Sequence, residues 1–200
     1  MIDELSELWW MYTIKGLVAI AFALTCYFFS SFVALHLLQP MGFLYLLVVF
    51  TFYICLVGII QLVGAIHGFD LDLKHRWLLL ADAILNLAIG PLFLMTFGFG
   101  LSFSMVVVLF GLHAVIVGSG HLILAIHDGK RQHHYLFMGI PAVWSLLSGF
   151  ALILLRHAHE RRLTIGVAIY SAVLGLLLIF LSATLREAAR KHNTTLSAAL

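Results

Sequence analysis

Six apolar runs, each about as long as a bilayer crossing needs, which is about 20 residues of helix, occupy most of this 200-residue chain. They cover approximately 9–34, 44–66, 77–97, 103–126, 135–155 and 163–185. Open strands cannot satisfy their backbone groups in lipid, and the runs are too long for barrel strands, so each reads as a helix. The connections are short. Residues 36–43 contain Pro40 and Gly42; residues 67–76 contain Asp70, Asp72 and Lys74; Gly98 and Gly100 turn the chain; residues 127–134 contain Lys130 and Arg131; and 156–162 form the last loop. The expected fold is therefore all-α: a six-transmembrane-helix bundle in a single integral membrane domain over 1–200, with residues 186–200 as a flexible tail.

Composition agrees. The chain is 63% hydrophobic and 10% charged, with a mean hydropathy of +1.10, whereas soluble domains carry about 25% charged residues. A net charge of +2 is too small to argue for a nucleic-acid partner, and the basic residues cluster at helix ends. Cys26 and Cys55 lie inside apolar runs at different depths, which argues against a disulfide or a metal pair. Asp3, Glu4 and Glu7 make the start acidic, unlike the basic opening of a cleaved signal peptide, so the first helix is expected to be retained.

Orientation follows from Lys and Arg placement. With six spans, the side holding both termini carries Lys15, Lys74, Arg76, Lys130, Arg131, Arg186, Arg190 and Lys191, against Arg156, Arg161 and Arg162 opposite. Both termini are expected in the cytoplasm.

Internal repetition is the strongest pattern. Val57-Gly58-x-x-Gln61-Leu62-x-x-Ala65-Ile66-His67 returns as Val117-Gly118-x-x-His121-Leu122-x-x-Ala125-Ile126-His127, with a weaker echo in Gly175-x-x-Leu178-x-x-x-Ser182. Trp10 precedes Lys15 by the interval that separates Trp77 from Asp82, and Leu87-x-x-Gly90 matches Leu146-x-x-Gly149. The bundle thus reads as three repeated helical hairpins, approximately 9–67, 77–127 and 135–185. This pattern, carried by Trp9-Trp10 to Gly16, Trp77 to Ala83 and the Gly58 and Gly118 segments, resembles the HdeD family of bacterial acid-resistance membrane proteins over about 9–187. The resemblance implies a multi-pass inner-membrane protein linked to acid stress, with no catalytic residues to carry over.

Asp82 is the one carboxylate inside a hydrophobic run. At ~1.5 Å rise per residue it lies ~7–8 Å below its helix end. Lys15, Gln61 and His121 fall at about the same level, and Asn86 and Gly90 continue the Asp82 face at i+4 and i+8. Ala114, Gly118, His121 and Ala125 form a second stripe of small and polar residues. Ionisable groups at that depth must face protein, water or a partner. Two readings of the layer of Lys15, Gln61, Asp82, Asn86 and His121 follow. One is a pH-sensitive or proton-carrying cluster. The other, preferred, is a polar clasp between repeats in which Lys15 and Asp82 neutralise each other or Lys15 snorkels outward.

His113 sits nearer the midplane and reads as a hydrogen-bonded core residue. Axial haem ligation is disfavoured because His113 and His121 share one helix ~80° apart and no other helix core supplies a histidine. His157 and His159 stand in the basic loop Arg156-His-Ala-His-Glu-Arg-Arg162, whose three arginines and Glu160 give +2, rising to +4 with both histidines protonated. That loop is either acid-responsive or simply a solvated interface. The cytoplasmic His133-His134 pair is expected at lipid headgroups. No nucleotide loop, Ser/His/Asp arrangement or phosphate cradle is present, so neither an enzyme nor a cofactor is expected. The expected partners are the bilayer and a candidate homo-oligomer. The function expected is a non-enzymatic role in acid or stress resistance; a small transporter or proton-coupled channel, of unknown substrate, is the alternative.

Overall fold

The computed structural model describes residues 8–33, 39–67, 73–98, 102–129 and 135–199. Its helices are α1 Trp9–Val33, α2 Gln39–His67, α3 Leu73–Gly98, α4 Phe103–Gly129, α5 Tyr135–Leu154 and α6 Glu160–Ala199. Five contain stretches long and apolar enough to cross a membrane: Trp9–Ser30, Leu47–His67, Arg76–Met95, Ser104–Ile123 and Arg161–Glu187. In α5 the apolar stretch is shorter, Gly139–Leu154. The outer surface matches a lipid environment: Phe28, Phe52, Ile84, Ile123, Leu147 and Phe180 are all exposed. A soluble protein rarely leaves so much large apolar surface uncovered.

Helix ends depart from the sequence reading in two places. Helix α2 starts at Gln39, so Pro40 and Gly42 belong to its first turn and not to a loop. Proline is at home there, because the first-turn N–H groups have no partner inside the helix. The expected flexible tail is instead helical, since α6 runs on through Ala199. Leu185, Ala188 and Ala189 are strong helix formers, and Glu187 precedes Arg190 and Lys191 by three and four residues, a spacing that favours helix.

The helices close into a ring in chain order, the last against the first. Packing is closest between α1 and α6, between α2 and α3, and between α4 and α5. Helix α1 also meets α2, and α5 meets α6, but α3 and α4 touch little. The closest interfaces are therefore those of α6 with α1, α2 with α3 and α4 with α5, and the α1–α2, α3–α4 and α5–α6 pairs pack less closely.

Small residues set these close approaches. A Cβ on Gly16 would come within 2.7 Å of the Gly175 carbonyl oxygen, and one on Gly175 would meet the Gly16 carbonyl at 2.7 Å. Between α4 and α5, Gly111 and Gly149 stand in the same mutual relation, at 2.8 and 2.7 Å. Between α2 and α3, Gly58 faces the Ala83 carbonyl, with a Cβ distance of 3.2 Å. Helices that meet backbone to backbone gain dispersion contacts, the main attraction available between helices in lipid.

One half of the bundle is filled by aromatic rings. Phe22 stacks on Tyr53 at 4.5 Å between centroids. Phe50 meets Phe93 edge-on at 4.6 Å and Phe110 at 4.5 Å, and Phe110 meets Tyr170 at 5.5 Å. These rings come from α1, α2, α3, α4 and α6, and Leu152 of α5 completes the core. Beside them, the buried Thr51 and Ser171 hydroxyls have no hydrogen-bond partner among the described residues. Thr51→Val keeps the side-chain shape and removes the unpaired hydroxyl, so we expect it to raise stability by about 1 kcal/mol. Unfolding in mixed detergent micelles measures this; a loss of stability would mean that Thr51 has a polar partner.

Candidate functional site

The other half of the bundle is polar at its centre. From Phe22, Phe50, Phe93 and Phe110 to Lys15, Gln61, Asp82 and His121 the separation is 7 to 11 residues along each helix, or ~10–17 Å. Helix α3 supplies Asp82 and Asn86, one turn apart on a common face. Gln61 comes from α2, His113 and His121 from α4, and Lys15 from α1.

Asn86 is the node. It is buried, and its Nδ2 donates to Gln61 Oε1 at 2.8 Å, to the Asp82 carbonyl at 2.8 Å and to Asp82 Oδ1 at 3.2 Å. Its Oδ1 lies 2.9 Å from His113 Nε2. An amide oxygen can only accept, so His113 carries its proton on Nε2 in this bond. Gln61 Nε2 in turn donates to Asp82 Oδ2, and His121 Nε2 stands 3.6 Å from the same oxygen. The network thus ties α2 to α3 and carries α3 across to α4, the seam where apolar packing is sparse.

Lys15 departs from the sequence expectation. It is only 7% exposed, yet it makes no direct ion pair or hydrogen bond among the described residues; the Asp82 oxygens accept instead from the Gln61 and Asn86 amides. Lys15, Asp82 and His121 instead line one cavity of about 350 Å³. The rest of its wall is mostly apolar, with Tyr12, Leu85, Val117, Pro141 and Leu178 among the lining residues. Its volume sits at the low end of the range for small-molecule sites, about 300–1,000 Å³. His121, with 41% of its side chain exposed, is more open than Asp82, with 12%.

The expected polar layer is therefore one constellation: Gln61, Asp82 and Asn86 bonded together, with His121 and Lys15 facing them across the cavity. The second stripe divides. Gly118 is turned to α5, where its Cβ would fall 2.9 Å from the Ala142 carbonyl, while His121 turns to α3. His113, read as a core residue, is hydrogen-bonded as expected and belongs to the network. Tyr12 and Pro141 join the lining in addition to the expected polar residues. Tyr12 lies three residues before Lys15, on the same face, which is the signal that could have found it.

The basic loop is separate from this site. Arg156, His157, His159, Arg161 and Arg162 are exposed. His157 Nε2 accepts from Arg156 Nε at 3.1 Å, and His159 Nδ1 lies 3.4 Å from the Arg161 backbone N–H at the start of α6. Near the opposite end of α6, Arg186 stacks over Trp9 at 4.9 Å, and Ser182 donates to the Trp9 carbonyl at 2.8 Å. Asp70, Asp72, Lys130, Arg131, His133 and His134 lie outside the described residues. Among the described residues no group of three or more His, Cys, Asp or Glu side chains could hold a metal ion.

Comparison with known proteins finds no matching family model, no matching curated protein and no matching solved structure. What can be said of function comes from the site.

Proposed function

We propose that this chain is an HdeD-like inner-membrane protein with six spans and cytoplasmic termini, serving acid-stress resistance without catalysis, and that protonation in the cavity is its input. The carrying observation is the cavity itself: a histidine, a carboxylate and an ammonium inside an apolar bundle, across the seam where α3 and α4 otherwise pack least. Protonated His121 would pair with Asp82 and draw α4 toward α3; neutral His121 would release it.

A threefold repeat supports this architecture. Gly58, Gly118 and Gly175 meet the carbonyls of Ala83, Ala142 and Gly16 respectively, and these partners occupy equivalent positions, four residues before Leu87 and Leu146 and six after Trp10 and Trp77. By the same register Lys15, Asp82 and Pro141 correspond, and all three line the cavity. In this reading the site is where three copies converge, diversified by substitution. The bilayer is its partner, with a homo-oligomer as a candidate assembly.

A proton-coupled transporter is the second reading, favoured by the same cavity. Against an open conduit stands the aromatic half of the core, which fills the axis beyond the polar layer. Two measurements separate them. Deleting the gene is expected to lower survival in mineral acid, with rescue by the wild-type gene and not by Asp82→Asn; normal survival would overturn the acid-resistance reading. Proteoliposomes are expected to show no proton flux above that of empty vesicles, and flux abolished by Asp82→Asn would move the assignment to the transporter.

A further inference from the structure

We infer that the cavity binds a small monocarboxylate with an apolar body, its carboxylate on Lys15, and that binding takes up one proton on His121. The inference rests on the reading of this cavity as the protein's functional site and names its ligand. Three observations carry it. Lys15 lines the cavity, is 93% buried by its 7% exposure, and has no direct bonded partner among the described residues. Asp82, the anion that should satisfy it, is committed to Gln61 and Asn86. The remaining wall is aliphatic and aromatic, with Leu85, Val117 and Leu178 beside Tyr12, which suits an alkyl or aryl group and not a sugar or a phosphate.

Asp82 offsets the Lys15 charge across the cavity without bonding to it, so the buried N–H donors of the ammonium lack acceptors, and an arriving carboxylate supplies them. The ligand's own apolar surface adds to the binding as it leaves water.

Charge then fixes the proton count. The charged or titratable groups facing His121 are Asp82 from α3 and Lys15 and Tyr12 from α1, while α5 and α6 present Pro141, Leu178 and Leu181 to the cavity. With His121 neutral, Lys15 and Asp82 cancel. A bound carboxylate adds one negative charge in a low-dielectric site, and a proton taken from solvent onto His121 restores neutrality. The acid therefore enters as its anion plus a proton, and binding tightens as pH falls.

The test is calorimetric titration of the purified, full-length protein in detergent with hexanoate, hexanol and hexylammonium as probes, run in two buffers of different ionisation enthalpy. Hexanoate is expected to bind with uptake of about one proton, and the other two to bind weakly or not at all. Lys15→Met should weaken hexanoate by roughly 30-fold or more, Lys15→Arg should keep most of the affinity, and His121→Gln should abolish the proton uptake. The wild-type comparison needs no variant to fold. Equal binding of hexanoate and hexanol, preference for hexylammonium, or no binding of any probe each overturns the proposal. Its failure is distinguishable from failure of the functional reading. Absent hexanoate binding with a persistent mineral-acid survival defect removes the ligand alone, and tight binding without that defect removes the acid-resistance role alone.

Discussion

Asp82→Ala is expected to cost about 3 kcal/mol of stability, and Asp82→Asn only about 1 kcal/mol. The structure makes Asp82 an acceptor first: Gln61 donates to one carboxylate oxygen and Asn86 to the other. Asparagine keeps an acceptor for the Gln61 amide, whereas alanine leaves that buried amide without a partner and opens a space beside Asn86, which still donates to Gln61 and to the residue-82 carbonyl. Paired substitution sharpens the point. Gln61→Ala and Asp82→Ala together should cost about 1–2 kcal/mol less than the sum of the single changes, because they break the same bond. Chemical unfolding of the four proteins in mixed micelles gives the cycle. Strict additivity would dismiss the Gln61–Asp82 bond, and an Asn variant as damaged as the Ala variant would make the charge, not the hydrogen bonding, the stabilising feature.

The second large effect concerns the ring closure. Gly16→Val and Gly175→Val are each expected to destabilise the protein by about 3 kcal/mol, at the upper end for overpacking, because the obstructing atoms are backbone. A side chain at either position meets the opposite carbonyl at 2.7 Å, and a helix axis must move to admit it. Gly120→Ala is the control, since nothing lies within 4 Å of its Cβ. The effect of the valines should appear both in unfolding and as lost cross-linking between cysteines introduced on α1 and α6. Valine variants with unchanged stability and cross-linking would show that α1 and α6 do not meet at these glycines.

Much of this was legible in the sequence, for different physical reasons. Apolar length picked out the six helices because lipid imposes it directly, and five of them are long and apolar enough to cross a membrane; the boundaries were misread at two helix ends. Pro40 looked like a turn residue, but a proline near a boundary suits a first turn equally well. Residues 186–200 looked like a fraying tail because they are polar, yet polarity does not oppose helix where alanine, leucine and spaced charges favour it. The membership of the site could be read from depth, since rise per residue places Lys15, Gln61, Asp82 and His121 at one level. Its wiring could not. Depth fixes height along an axis but says little about rotation or about which helix is adjacent, so Lys15 and Asp82 were paired by charge. The structure gives Asp82 to Gln61 and Asn86. Asn86 bonds to α2, α4 and its own helix at once, a role that no pairwise pattern encodes.

The pairing of α1 with α6 has a consequence for how the protein is made. The residues that cover Lys15 from α6, Leu178 and Leu181, are synthesised more than 160 residues after the lysine itself. During insertion α1 must therefore reside in the membrane with Lys15 and the Gly16 backbone uncovered, held by its terminal Trp9 and Trp10 and by α2 alone. The ring cannot be built piecewise and extended. It stays open until α6 has been made, and the cavity comes into being only when that helix arrives.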